Sequence, residues 1–317
     1  ARLDAFNDDF AAEHFPDDND GNLYACFRTN GGVEAELQYE GENPNVYRNR
    51  YFKGNNTAED DWSDLIRMVD VLNNAPEEAY LQEVEQVINI SQWLRHIAVN
   101  SLFVNYETGL DMGIGDDYYM YRGVADPRFV LIPHDLDTIL GLGGGSANIN
   151  QSIFTVVTGV AGRDGVDGLK RLFSHPEIIA RYHGQLIDLI TTVFSPERFD
   201  PLVDQILGGW VPDQICRNMK QFVVQRNAAV LDQIPLQLTI DSLLPVVDDY
   251  LYTPVNAWAL WGTANAVRTQ SVLVNGVPAT WSARGGTWQS GDGLGLADSL
   301  LGVSSQWKYL DDGSDQG

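Results

Sequence analysis

The segment after Ser91 carries Trp93, Leu94, Ile97, Ala98, Leu102 and Phe103, apolar on nearly every side of a helix. A helix of that kind has no face to offer water and has to lie inside a core. The chain must therefore build a helical shell around it, and the flanking sequence supplies one. Trp62, Leu65, Ile66, Val69 and Leu72 fall on one face at helical spacing, and Pro76 opens a second helix that turns Tyr80, Val84, Val87 and Ile88 inward. Ser91 reads as the cap of the buried helix itself. Helical patterns return over residues 166–173, 176–194 and 212–234.

Beyond the buried helix the chain changes in kind. Residues 105–117 form a loop with three glycines and four carboxylates, Glu107, Asp111, Asp116 and Asp117. Two β-rich runs, 118–122 and 128–132, are joined by Gly-Val-Ala-Asp-Pro and read as a hairpin. The second run leads straight into Pro133-His-Asp-Leu-Asp137 and then a glycine-rich stretch, 141–146, which reads as a flexible loop. The hairpin should bring the two acidic segments together. Carboxylates converging beside flexible glycines suit a hard divalent cation such as Mg²⁺ or Mn²⁺, with one carboxylate left as a base. The residues alone leave a second reading equally open: a solvated acidic loop with Asp135 capping the next segment. His134 could position Asp135 or be structural.

Composition closes off other chemistries. The 317 residues include 44 acidic and 20 basic side chains, a formal net charge of −24. Such a surface repels nucleic-acid backbones and anionic membranes. None of the four lysines (Lys53, Lys170, Lys220, Lys308) sits in a Walker-type phosphate loop, and no apolar run is long enough to span a bilayer. The histidines form no His-Glu-x-x-His pair, the sequence has no Gly-x-Ser-x-Gly elbow, and the 141–146 glycines are not a dinucleotide fingerprint. Cys26 and Cys216 are either two buried thiols or one disulfide.

Length suggests two domains. Before residue 60 the chain is polar and aromatic-punctuated; Asp17–Asn22 lacks the carboxylate spacing of a calcium loop and reads as an acidic turn, with short strands after it at 23–27 and 35–39. After about Pro235 the pattern alternates, and Asn275-Gly276 between Val-rich runs signals a type I′ hairpin. The expected fold is α+β, with a helical domain over 1–235, a small all-β module over 236–310, and 311–317 as a linker or the start of a further domain. Both ends of the chain read as cuts through a longer protein.

Asn22-Leu-Tyr24, the Trp62-Ser-Asp-Leu helix, Asp116-Asp-Tyr-Tyr-Met-Tyr121 and Phe129-Val-Leu-Ile-Pro-His-Asp-Leu-Asp137 resemble the spore-coat CotH kinase family over roughly residues 1–235. The family pattern has Trp where this chain has His134. The resemblance implies an atypical protein-kinase-like fold, with this chain supplying a mainly helical C-lobe with short hairpins and the end of the N-lobe. It implies transfer of the ATP γ-phosphate to Ser or Thr of secreted or surface proteins, with Mg²⁺ or Mn²⁺. By it, Asp135 would hold metal and nucleotide, Asp137 would assist, and Asp117 or Asp116 would stand in the metal-binding Asn position. Glu107 or Asp111 would be the catalytic base. The ATP-anchoring lysine is expected upstream: the Asn/Gly-rich setting of Lys53 marks it as a surface residue, and this stretch alone should transfer weakly or not at all. The β module resembles the small Ig-like modules beside such domains in large secreted proteins, which implies a secreted or cell-surface setting, with a protein substrate or neighbouring domains as partners. The rival expectation is a non-catalytic pseudokinase-like scaffold or adhesion component, calcium-dependent adhesion included.

Overall fold

The computed structural model describes residues 6–27, 34–105, 109–143, 148–160, 162–252 and 259–290. The chain divides into two compact units, 1–234 and 235–317, each with its own interior.

In the first unit a short helix, α1 (Asp8–His14), capped by the Asn7 side chain, precedes strand β1 (Asn22–Cys26). A single turn, α2 (Pro44–Tyr47), leads to β2 (Tyr51–Lys53). Then come α3 (Ser63–Asn74), α4 (Tyr80–Val87) and α5 (Ile90–Phe103). Strands β3 (Tyr118–Arg122) and β4 (Val130–Pro133) form the hairpin read from the sequence. Two single turns, α6 (Thr155–Thr158) and α7 (Asp167–Lys170), give way to three longer helices, α8 (Pro176–Thr191), α9 (Pro196–Leu207) and α10 (Asp213–Leu231).

The buried helix is α5: Trp93, Leu94, Ile97, Ala98 and Leu102 are all within 1 % of complete burial. Its cap is Asn89 rather than Ser91, because the Asn89 side chain accepts from the Gln92 N–H while the Ser91 hydroxyl faces Arg181. A fully buried Arg226 on α10 ties this helix down from the other side. Its guanidinium donates to the carbonyls of Ser101, Ile149 and Gln151, three backbone acceptors that burial would otherwise leave unpaired.

The four strands form one antiparallel sheet in the order β2-β1-β3-β4, with Tyr24 opposite Lys53 on one side and Met120 on the other. The expected strand at 35–39 is absent. Leu37 takes a left-handed φ of 56°, and the segment is held by isolated bonds, Ala35 N–H to Gly115 and Leu37 N–H to the Tyr51 hydroxyl, instead of a ladder. Lys53 also departs from expectation. It is 5 % exposed, lies over the Tyr24 ring, and donates to the Asp61 carbonyl at 2.5 Å. Burial lowers its pKa, while Asp64 and Asp61 oppose that shift. The register opposite Tyr24, which the Asn/Gly-rich flanks did not signal, draws it inside. Cys26 and Cys216 are free buried thiols.

The second unit is antiparallel β. Strands β5 (Val246–Val247) and β6 (Tyr250–Leu251) pair with each other. Strand β7 (Trp261–Thr263) is followed by the hairpin β8 (Leu273–Val274) and β9 (Val277–Pro278), then by β10 (Thr280–Ser282) and β11 (Thr287–Gln289). Asn275 and Gly276, with φ of 52° and 81°, make the expected type I′ turn. Strands β10, β11 and β7 form a three-stranded sheet around Trp288, whose indole N–H donates to the Thr263 carbonyl.

Candidate functional site

The β3–β4 hairpin sets the geometry. Tyr118 pairs with Pro133, so Asp117, just before β3, and His134, just after β4, meet at the same end of the sheet. The His134 Nδ1 lies 3.9 Å from the Asp117 carboxylate, and Asp135 comes next along the chain. Asp117 and Asp135 share an unusual backbone: both are non-glycine residues at φ of 47°. Aspartate tolerates that left-handed conformation better than most L-residues, because its short polar side chain can hydrogen-bond locally. Between them stands Tyr119, whose phenol pKa is raised by burial and then by the negative charges of Asp117 and Asp135. Tyr119, with Phe27 and Phe6, packs an aromatic wall against the His134 ring.

What holds Asp135 is Asn105, which the sequence did not single out. Its side chain is fully buried; its amide donates to the Asp135 carbonyl at 3.2 Å, and its oxygen accepts from the Thr138 hydroxyl at 3.2 Å. One amide thus fastens the 135–138 turn to the end of α5. An asparagine beside a glycine-rich loop looks like ordinary turn chemistry, and only the buried partners distinguish it. On the loop's other arm, Gly109 donates to the Asp116 carbonyl, and a Cβ there would lie 2.0 Å from that same oxygen.

The remaining sequence-selected carboxylates fall in different places. Asp137 is exposed and lines an apolar cleft of about 310 Å³ between Phe103, Leu140 and the α9 residues Leu202 and Ile206. Asp116 is half-buried, and its carboxylate accepts from the Asp117 N–H at 3.1 Å. Asp111 points inward: it is 2 % exposed, and among the described residues neither carboxyl oxygen has a hydrogen-bond partner. Burial therefore raises its pKa well above the carboxylate range, against small opposing pulls from its own backbone and from Arg226. Glu107 lies outside the described residues. Among the described residues no three His, Cys, Asp or Glu side chains come close enough to form a metal-ligand group. What the hairpin brings to one end of the sheet is Asp117 beside His134, followed by Asp135, with Tyr119 within reach of both carboxylates' charge.

These features define a class, a mixed α+β domain in which a buried helix, an acidic loop and a hairpin deliver paired carboxylates to one sheet end. The profile of the CotH kinase protein family matches residues 2–213, and the chain belongs to that family. A search of curated proteins found no match.

Proposed function

We propose that this chain carries the C-lobe of an atypical protein kinase that transfers the γ-phosphate of ATP to Ser or Thr of secreted or surface proteins, beside an Ig-like β module. The observation that carries the reading is that the hairpin sets Asp117 against His134, with Asp135 next along the chain, directly downstream of the buried helix and its acidic loop. In kinases the catalytic loop, a hairpin and a metal-binding aspartate occur in that order.

The donor set fits a hard cation. Mg²⁺ is held by one or two carboxylates, with waters and substrate phosphates completing the shell, so a protein cage of three ligands is not required. Asp135 and Asp117 would hold it, with Asp137 and Asp116 at the margins. Bound there, Mg²⁺ or Mn²⁺ with ATP supplies the transferable phosphoryl group and neutralises charge on its oxygens. The chain's own residues do the positioning. Asn105 and Thr138 hold the 135–138 turn, and Tyr119 and Phe27 pack against the His134 ring. Of the two candidate bases, Asp111 sits in the interior, where burial raises its pKa and favours the protonated form, so the acceptor hydroxyl's proton falls to Glu107.

The test is phosphate transfer by the full-length protein, incubated with ATP and Mg²⁺ or Mn²⁺, new phosphosites being read by mass spectrometry. Phosphosites that disappear in Asp135→Ala are the expected result. No transfer, together with an unchanged melting temperature on adding ATP and metal, would overturn the kinase reading in favour of a non-catalytic scaffold.

A further inference from the structure

At the other end of the same hairpin lies a polar cavity of about 480 Å³, between the first turn of α3, the end of α4 and the β3–β4 turn. Two arginines, Arg67 on α3 and Arg122 at the end of β3, line it together with Asp61, Asp64, Ser63 and Gln86. Arg122 is five residues from Asp117 along one strand, about 16 Å at 3.3 Å per residue, so this is a separate place from the Asp117–Asp135 end.

The hydrogen-bonding capacity of the cavity is lopsided. Its carboxylates are already occupied: Asp64 accepts from the Asn22 amide at 2.7 Å, the Tyr24 hydroxyl at 2.6 Å and the Leu65 N–H at 2.7 Å. Asp61 accepts from the Ser63 N–H at 2.9 Å, a bond that lowers its pKa. The guanidiniums are not occupied. Among the described residues neither the Arg67 nor the Arg122 side chain makes a hydrogen bond or ion pair, and Arg122 acts on Asp61 only through space. By contrast, Arg48, Arg50, Arg95, Arg128, Arg163 and Arg171 each have a carboxylate partner.

We infer that this cavity is a binding site for a phosphate-class oxyanion, held between the guanidiniums of Arg67 and Arg122. One guanidinium fork saturates the two oxygens of a carboxylate, whereas a phosphate has the further oxygens that a second fork and the neutral Gln86 amide can use. The volume is that of a site for a small molecule or for a phosphorylated side chain with its neighbours, and exceeds the needs of a bare ion. The inference does not rest on the kinase reading.

The experiment titrates the metal-free protein with inorganic phosphate and, separately, with a phosphoserine peptide, following ³¹P line broadening and melting temperature. The same is done for Arg67→Gln, Arg122→Gln, the double variant and Asp135→Ala. Saturable binding that each single variant weakens about tenfold, that the double variant abolishes and that Asp135→Ala leaves intact is expected. Tighter binding of the peptide would assign the phosphate to a protein, and equal binding to a free phosphate; either supports the site. Phosphate strengthens apolar burial in any protein, so a rise in melting temperature that persists in the double variant, or the absence of saturable line broadening in wild type, would overturn the inference. Both side chains are at least partly solvent-exposed, and unliganded melting temperatures matching wild type confirm that the variants fold.

Discussion

The two aspartates singled out as candidate bases or metal ligands on either side of the loop, Asp111 and Asp117, show how far residue type alone reaches. Both sit in the same acidic loop, yet one is buried and the other stands at the hairpin end. The unfolded chain releases the Asp111 proton above about pH 3.8, whereas the folded chain retains it, because burial raises the folded pKa. Stability is therefore lost as pH rises above that value, with a limiting slope of about 1.4 kcal/mol per pH unit until the folded pKa is reached. Asp111→Asn removes the difference. Denaturant unfolding from pH 4 to 8 should show the variant gaining on wild type as pH rises, and a constant gap would contradict a buried neutral Asp111. In the transfer assay Asp111→Asn should remain active while Glu107→Gln loses transfer; the reverse would return the base to Asp111. The position of Asp117 and Asp135 at the hairpin's end was legible because the flanking strands fix their register. The inward turn of Asp111 was not, because a loop has no periodicity to read. Lys53 was misplaced for a related reason: polar neighbours along the chain said nothing of the Tyr24 ring across the ladder.

Among elements, those with a strong apolar period were read and those without were missed. Helices α3, α5 and α8 and the β3–β4 hairpin lie where their patterns placed them. Helix α9 was overlooked: Pro201 falls inside it, and only Phe199 and Val203 are buried, too sparse a stripe to announce a helix. The turn at 135–138 belongs to no regular element and depends on one side chain, which makes it the sharpest test of how the elements cooperate. Asn105→Ala removes the donor to Asp135 and the acceptor for Thr138, both inside the protein. The expected cost is about 2 kcal/mol of stability by denaturant unfolding. The proposed activity should fall further than that loss explains, with kcat reduced more than KM for the acceptor, since Asp135 loses its hold while the acceptor surface is untouched. Asn105→Asp, which keeps an oxygen for Thr138 but loses the amide donor, should recover stability without recovering kcat. Equal recovery of both would mean that Asn105 serves folding alone.

For the molecule as a whole, charge is the property the sequence states most directly. A net charge of −24 on 317 residues means that every compaction brings like charges together, and the ion pairs at Arg48, Arg95 and Arg128 lie at half-exposed positions where each is worth little. Long-range repulsion should therefore outweigh local attraction. Raising ionic strength shortens the screening length from about 30 Å at 0.01 M to about 3 Å at 1 M, which removes repulsion between distant carboxylates before it weakens contacts at 3 Å. Melting temperature should consequently rise with sodium chloride across that range. A fall would show that the surface ion pairs dominate. The same field enriches cations around the exposed carboxylates and keeps anions away. Phosphate binding at Arg67 and Arg122 should therefore be limited at low salt by the surrounding charge as well as by the two guanidiniums. Its affinity should decline less steeply with added salt than two fully exposed arginines would give, because screening weakens the attraction and the background repulsion together. Phosphate titrations of wild type and of the Arg122→Gln variant across the same sodium chloride series would separate the two contributions. If the wild-type affinity falls as steeply as for two arginines in open solvent, the acidic background has no influence at that cavity.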